Sequence, residues 1–496
     1  MYLRVSTMIS APSRQALSHA PARESHDYAR WWSSYWQVWW TRAAGTAAIG
    51  AAQRTRLAML VAHARAHSPL YHDVYRALPA SVPVDALPVM TKHALMADFD
   101  RWITDPAIRF DKLTTFLADR SHIGERYLAR YLVWKSSGST GEPGVFVQDD
   151  RALSTYDALV AVQLSSLARA GDCVAGMFGG GRAALVAATG DHFASIASWE
   201  RACRAAPGIA ARGFSIMDPL PDLVAALNDF APSYLASYPT MLTLLAEERK
   251  AGRLRIAPAI VWSGGEFLAP GAQAELARAF GCTVLNEYGT SECMSIAVSC
   301  AEGWLHVNAD WVLLEPVDAG YRPTPPGEAS HTVLLTNLAN QVQPIIRYDL
   351  GDAVVARPSP CPCGSRMPAI RVDGRREDVL TMHAAGGRAV RLLPLALTTI
   401  VEEATSRHRF QIVQTADVTL ALRFDPGDER QRRDAFHLAE VALRRHLAHH
   451  GIVHARMSLA TEGPIPDRRS GKLRQVVFEP APLCNDEPRS HAAPRM

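Results

Sequence analysis

The chain has no run of roughly 18 to 20 uninterrupted apolar residues, the length that a membrane-spanning helix requires. Its first residues, MYLRVSTMISAPSRQ, lack the apolar centre of a secretory signal, so a cytoplasmic location is the expectation. Excess charge is also missing. Fifty-two Lys and Arg against 49 Asp and Glu leave a formal +3, too little over 496 residues to build a nucleic-acid groove or to hold the chain on an anionic membrane. The expected partners are therefore small molecules, with no nucleic acid and no membrane. Cysteine is scarce, 8 in all, which excludes a disulfide framework; the pairing Cys361-Pro362-Cys363 with Cys300 upstream points to metal instead. What is present is soluble globular composition, 48% hydrophobic and 20% charged, in a chain long enough for two or three units.

Residues 1–24 are Ser, Ala, Arg and Pro without periodicity and read as a loose extension. Trp31, Trp32, Tyr35, Trp36, Trp39 and Trp40 then recur at helical spacing, which predicts one broad aromatic face packed on the main body. A second helical run, Leu57, Leu60, Val61 and Ala64, should break at Ser68-Pro69. Between about 130 and 370, apolar β-type runs such as Tyr131–Trp134, Ala259–Trp262 and Thr283–Leu285 alternate with helical patterns such as Met241–Lys250 and Ala272–Phe280, which predicts α/β layers. Charge and a glycine at Arg371–Asp378 interrupt this pattern and suit a hinge. The expected organisation is a large unit over 25–373, a smaller one over 374–478 containing one amphipathic helix (Phe436, Ala439, Leu443, Leu447), and a disordered tail over 479–496. His446, His449 and His450 read as a solvated helix end rather than a metal site.

The segment Ser136-Ser137-Gly138-Ser139-Thr140-Gly141-Glu142-Pro143 follows a predicted strand. Its glycines allow tight turns that expose N–H groups, and its hydroxyls add donors, so it suits phosphate oxygens. It is not a Walker A loop, because the sole Gly-Lys pair, Gly471-Lys472, is followed by Leu473. Downstream, in order, come Ser263-Gly264-Gly265-Glu266, Asn286-Glu287-Tyr288-Gly289-Thr290-Ser291-Glu292, Arg347-Tyr348-Asp349-Leu350-Gly351-Asp352, Gly374-Arg375 and Ser470-Gly471-Lys472.

This ordered set resembles the adenylate-forming superfamily of acyl-CoA synthetases and peptide-synthetase adenylation domains. Within it, the Ser-Ser-Gly-Ser-Thr-Gly, Glu-Tyr-Gly-Thr-Ser-Glu and Cys-Pro-Cys-Gly segments look most like the phenylacetate-CoA ligase family, as do Ser68-Pro69-Leu70-Tyr71 and Leu87–Lys92. The resemblance implies an α/β adenylate-forming two-domain architecture with a small mobile α+β C-terminal domain. It implies that Ser136, Ser137, Gly138, Ser139, Thr140 and Gly141 hold the ATP phosphates, and that Gly264, Gly265 and Glu266 line the adenine. Tyr288 and Gly289 would lie against the base, Thr290 would bond the α-phosphate, and Glu292 would hold Mg²⁺, a hard cation that prefers oxygen ligands. Asp352 would accept both ribose hydroxyls, with Arg375 reaching the same region. Lys472 would stabilise charge building on the α-phosphate, and Glu377 or Asp378 would sit at the pivot.

The activity so implied is ATP-dependent ligation of a carboxylic acid to coenzyme A through an acyl-adenylate. The acid is expected to be phenylacetate- or benzoate-like, in a pocket formed by Phe178, Gly180, Tyr238 and Pro239. His192 is open between a substrate contact and a structural histidine. An acceptor on a carrier-protein phosphopantetheine, or an amine, is the alternative, and an inactive nucleotide-binding scaffold the second alternative. A homodimer is left open. Three thiolates and an imidazole, Cys300, His306, Cys361 and Cys363, suit tetrahedral Zn²⁺, an arrangement some members of the family resemble. Cys173, Cys203, Cys282, Cys293 and Cys484 have no matching spacing and read as inert thiols. Two departures stand out: Glu142 occupies a loop position that usually carries Lys or Arg, and Arg376-Glu377-Asp378 replaces a small residue followed by two acids.

Overall fold

The computed structural model describes residues 28–79, 82–136, 144–168, 181–205, 210–268, 271–373, 380–392, 394–407, 409–425, 428–465 and 474–479. The expected extension over 1–24 and the tail beyond 479 lie outside them.

The fold is mixed α/β around a nine-stranded sheet. In spatial order its strands are Ala353–Ala356, Ala369–Asp373, Leu305–Val307, Ala297–Ser299, Thr283–Tyr288, Ile260–Gly264, Tyr234–Ser237, Arg182–Ala187 and Ala210–Ser215. The last five are mutually parallel and the others join antiparallel. Parallel neighbours need crossover connections, and the helices Pro239–Lys250 and Ala272–Phe280 supply them. The core of the Tyr234–Tyr288 strands is Leu235, Val261, Val284, Leu285 and the helix residues Leu242, Leu245 and Phe280.

A three-stranded antiparallel sheet, Arg126–Tyr127, Tyr131–Lys135 and Val145–Gln148, carries the expected phosphate loop between its last two strands. Its edge strand is finished by side chains rather than by another strand. Val147 N–H donates to Gln343 Oε1 at 2.7 Å, Gln343 Nε2 donates to the Val145 carbonyl at 3.0 Å, and Asn340 Nδ2 donates to the Val147 carbonyl at 2.8 Å. Both carboxamides are fully buried, so each satisfies polar backbone that water cannot reach. Arg347, which has a positive φ of 46°, ties the segment Leu87–Lys92 to the same region. Its guanidinium donates to the Asp85 and Leu87 carbonyls and pairs with Glu315, while Met90 exchanges backbone hydrogen bonds with Arg347 and Asp349.

A separate buried cluster is drawn from 380 to 476. It joins the hairpin Leu380–His383/Ala389–Leu392 and the four-stranded sheet Arg456–Leu459, Thr419–Phe424, Phe410–Ala416 and Val476–Phe478 to two helices, Pro394–Thr405 and Glu429–His449. The sequence pattern showed only the second helix, because Pro394–Thr405 is apolar enough to lack a clear polar face.

Two expectations are corrected. The aromatic helix spans Tyr28–Ala44, but only part of it packs: Val38 is fully buried and Tyr35 and Trp39 lie on the core, whereas Trp32, Trp36 and Trp40 are 48%, 47% and 62% exposed. Residues four apart form one stripe, and six rings are too many for the stripe that meets the helix Asp150–Ala168. His446 is not at a solvated helix end either. Burial pushes its imidazole down to about 3 and lowers His450, whose ring meets the Met217 backbone of the large unit.

Replacing Gln343 with Leu leaves the Val147 N–H and the Val145 carbonyl buried without these partners. Thermal melting should show a loss of about 2 kcal/mol or more, and an unchanged Tm contradicts the clamp.

Candidate functional site

Among the described residues, Ser136, Gly264–Glu266, Asn286–Glu292 and Tyr348–Asp352 of the sequence motifs meet at one cleft of about 2370 Å³. Ser237-Tyr238, Gly264-Gly265 and Tyr288-Gly289 end three adjacent parallel strands, and the register pairs Ser237 with Ser263 and Gly264 with Glu287. The carboxyl ends of parallel strands are where open α/β sheets gather ligand groups. Tyr238, Pro239, Gly264 and Gly265 line the cleft from these ends, and Glu266 follows. Thr290, Glu292 and Asp352 line it together with Tyr288 and Gly289, and Ser136 reaches it from the strand before the phosphate loop.

Local geometry fixes each group. Gly289 has no room for a side chain: a Cβ there would stand 1.9 Å from the Met294 carbonyl oxygen. The turn that follows is closed by Thr290, whose carbonyl and Oγ1 both accept from the Cys293 N–H. Glu292 is buried and accepts a hydrogen bond from Tyr348 Oη at 2.8 Å, while its own carbonyl accepts from Asn337 Nδ2 at 3.0 Å. One carboxylate oxygen is thus held by Tyr348 and the group faces the cleft as an oxygen ligand, which suits a hard dication. Tyr288 Oη donates to Asp352 Oδ2 at 2.9 Å, joining the expected base-contact and ribose-contact residues. Glu266 turns its carboxylate to the N–H and hydroxyl of Thr240, at 3.1 and 2.7 Å, at the start of the helix Pro239–Lys250. Burial raises the Glu266 carboxyl, and those two donors pull it back.

Several expected residues lie outside the described ones: Ser137, Gly138, Ser139, Thr140 and Gly141 with Glu142 of the loop, Phe178 and Gly180, Arg375, Glu377 and Asp378, and Lys472. The loop's two ends are described and are tied together. Ser136 Oγ accepts from the Gly144 N–H at 2.7 Å and from Lys92 Nζ at 3.1 Å. Lys92 and Tyr348 were legible only as points of resemblance, since nothing in their spacing shows that they meet Ser136 and Glu292. His192 resolves to a structural residue: its ring is fully buried with Nε2 3.0 Å from the Asp119 carbonyl, and burial lowers its pKa. Cys203 and Cys293 are pushed up to about 11 and about 12 by burial, as inert thiols should be. Cys173 and Cys484 lie outside the described residues.

Away from the cleft's centre, one ligand atom each from Cys300, His306, Cys361 and Cys363 lies within 4.8 Å of all the others. A tetrahedron with metal–sulfur bonds of about 2.3 Å has edges of about 3.8 Å, and the Cys300 and Cys361 sulfurs are 3.8 Å apart. His306 Nδ1 lies 3.1 Å from the Met367 carbonyl, which accepts its proton and leaves Nε2 as the lone-pair nitrogen, 3.2 Å from Cys363 Sγ. The donor set and its geometry fit a structural Zn²⁺.

No family model matches the chain. It is similar to the phenylacetate-coenzyme A ligase of Thermus thermophilus, with 26% identity over 378 residues, 70% of this chain and 80% of that protein. Among solved structures it is similar to a 2-hydroxyisobutyryl-CoA ligase in complex with 2-HIB-AMP and CoA, with a TM-score of 0.52 and 20% identity, covering 86% of this chain and 89% of that one. The fold is that of the two-domain adenylate-forming ligases, and the sequence similarity agrees with the resemblance to the phenylacetate-CoA ligase family. Among the described residues, no helix is long and apolar enough to cross a membrane.

A Gly289→Ala substitution must displace Met294 backbone rather than a flexible side-chain end. The expected cost is about 1 to 3 kcal/mol, read as a lower Tm, whereas an unchanged Tm contradicts the close approach.

Proposed function

We propose that the chain is an AMP-forming acid–thiol ligase: it activates a carboxylic acid with ATP as an acyl-adenylate and passes the acyl group to coenzyme A. The observation that supports this reading is the convergence of Gly264-Gly265, Tyr288–Glu292, Asp352 and Ser136 on one cleft at the carboxyl ends of parallel strands. An aryl acid, phenylacetate- or benzoate-like, suits the aromatic wall that Tyr238 and Trp262 give the cleft.

In this reading Asp352 accepts the ribose hydroxyls, since an ionised carboxylate can take two donors at once. Tyr288 holds that carboxylate in place through its own hydroxyl. Gly264 and Gly265 let the adenine come close to backbone, Thr290 donates to the α-phosphate, and the hydroxyls and N–H groups of Ser136 to Gly141 receive the β- and γ-phosphates. Lys92, already at the base of that loop, adds a cation on the side where Glu142 removes one. Glu292 would hold Mg²⁺, which supplies charge neutralisation on the phosphates when bound. The substrate carboxylate attacks the α-phosphorus in line and pyrophosphate leaves. Lys472 then acts where charge grows on the nonbridging oxygens, so its contribution is larger in the transition state than in the ground state. Rotation of the unit over 374–478 about Glu377 and Asp378 would exchange Lys472 for a path to the thiol, so that one cleft serves both half-reactions.

We also propose a structural Zn²⁺ on Cys300, His306, Cys361 and Cys363. Four protein ligands leave no position for a reactive water, so its part is to fasten the loop carrying Cys361 and Cys363 to the sheet.

Lys472→Ala should leave ATP binding intact and reduce acid-dependent pyrophosphate release by at least about 100-fold; undiminished release removes its assigned role. Elemental analysis should find about one zinc per chain, and Cys361→Ser with Cys363→Ser should abolish it and lower Tm. Metal near zero in the unaltered protein contradicts the zinc assignment.

A further inference from the structure

Glu287 is an acidic group of the cleft that the reaction above leaves without work. It sits on the strand Thr283–Tyr288, one residue before Tyr288, so its side chain leaves the opposite face of the sheet. The register aligns Gly264 with Glu287 and Ala236 and Trp262 with Leu285, which puts Ala236, Trp262, Gly264, Leu285 and Glu287 on a common face. All five line the cleft. Glycine at 264 keeps the space beside the carboxyl open, since a Cβ there would already be 3.8 Å from that of Glu287 and any longer side chain would crowd it.

The residue is half-buried, and the surface it keeps is part of the cleft lining. Its hydrogen bonds come from the Trp262 indole, Nε1 to Oε2 at 2.9 Å, and from the Ser295 hydroxyl. Among the described residues no Lys, Arg or His forms an ion pair with it. An ionised carboxylate offers about four lone-pair sites, so two donors leave it undersatisfied, and burial pushes it up to about 7.

We propose that Glu287 selects the acid: the substrate carries a hydroxyl or amino group on its acyl part, and the Glu287 carboxyl accepts a hydrogen bond from that group inside the cleft. The proposal rests on the acid-activating reading and names the substrate class for that same site. The selection works in both directions. A donor on the substrate completes the carboxyl's hydrogen bonding, whereas an unsubstituted aryl acid strips its remaining water and leaves a buried polar group unpaired. Sites built to bond a polar substituent reject the analogue that lacks it far more strongly than apolar pockets reject a size change.

The test is pyrophosphate release by the purified full chain with matched acids: benzoate and phenylacetate against their ring-hydroxylated and ring-aminated forms. Donor-bearing acids should exceed their parents in kcat/KM by about 10- to 100-fold. Glu287→Leu should abolish or reverse that preference, with thermal melting as the check on folding. Glu287→Gln, which keeps a carbonyl acceptor without charge, should retain the preference for ring-hydroxylated and ring-aminated acids in weakened form, since both present neutral donors that need only an acceptor. Should the Leu variant fail to fold, the unaltered chain and the Gln variant decide the matter. Equal turnover of parent and substituted acids, or a preference that survives Glu287→Leu, overturns the assignment while leaving acid activation standing. ATP binding without pyrophosphate release from any acid of either series overturns the underlying reading instead, and the assignment with it.

Discussion

Three buried carboxamides in one turn, Asn337, Asn340 and Gln343, hold the parts of the cleft together. Gln343 and Asn340 complete the edge of the strand Val145–Gln148, which leaves the phosphate-loop segment, and Asn337 bonds the carbonyl of Glu292 and the hydroxyl of Tyr156. All three are fully buried, so each lost bond exposes a polar group to an apolar interior rather than to water. The same chain segment continues into Arg347, Tyr348 and Asp349. Arg347 fastens Leu87–Lys92, Tyr348 fixes the Glu292 carboxylate, and the Asp349 carboxylate takes the Gly351 N–H in the turn leading to Asp352. Residues that read in the sequence as separate motifs are thus one polar framework.

That framework divides labour along the cleft. On one face of the sheet's end stand Tyr288 and its partner Asp352, a pair whose hydroxyl and carboxylate suit a sugar edge. On the other stand Trp262, Leu285 and Glu287, apolar surface with one carboxyl set into it. In the proposed reading, the alternation of side chains along the strand Thr283–Tyr288 separates a nucleotide side from an acyl side, because successive residues point to opposite faces. Glycine at 264 and 289 keeps backbone close where a side chain would close the space.

Two neighbouring strands of the central sheet, at Ala259–Trp262 and Thr283–Leu285, were readable as short apolar runs between helical periods, and the residues Gly264, Gly265, Tyr288, Thr290, Glu292 and Asp352 were readable as ordered motifs. The partners that position them were not. Tyr348 lies 56 residues from Glu292 and Gln343 lies 196 from Val147, separations at which no local pattern exists. The aromatic helix misled because periodicity says which residues share a stripe and not how wide a stripe the neighbour covers, which left Trp32, Trp36 and Trp40 outward. His446 misled for the converse reason: its helix end is polar in sequence, yet the ring is buried, and the neighbouring His450 meets the Met217 backbone. Cys300, His306, Cys361 and Cys363 were the opposite case, since soft donors in a cysteine-poor chain carry a signal that does not depend on periodicity.

The central claim is that one nucleotide occupies the cleft between Tyr288, Asp352 and Glu292. A crystal structure of the full chain with Mg²⁺ and a non-hydrolysable ATP analogue tests it most directly. The account predicts the base beside Tyr288, both ribose hydroxyls on Asp352 and the metal on Glu292; an analogue bound elsewhere, with these three side chains touching neither nucleotide nor metal, contradicts it.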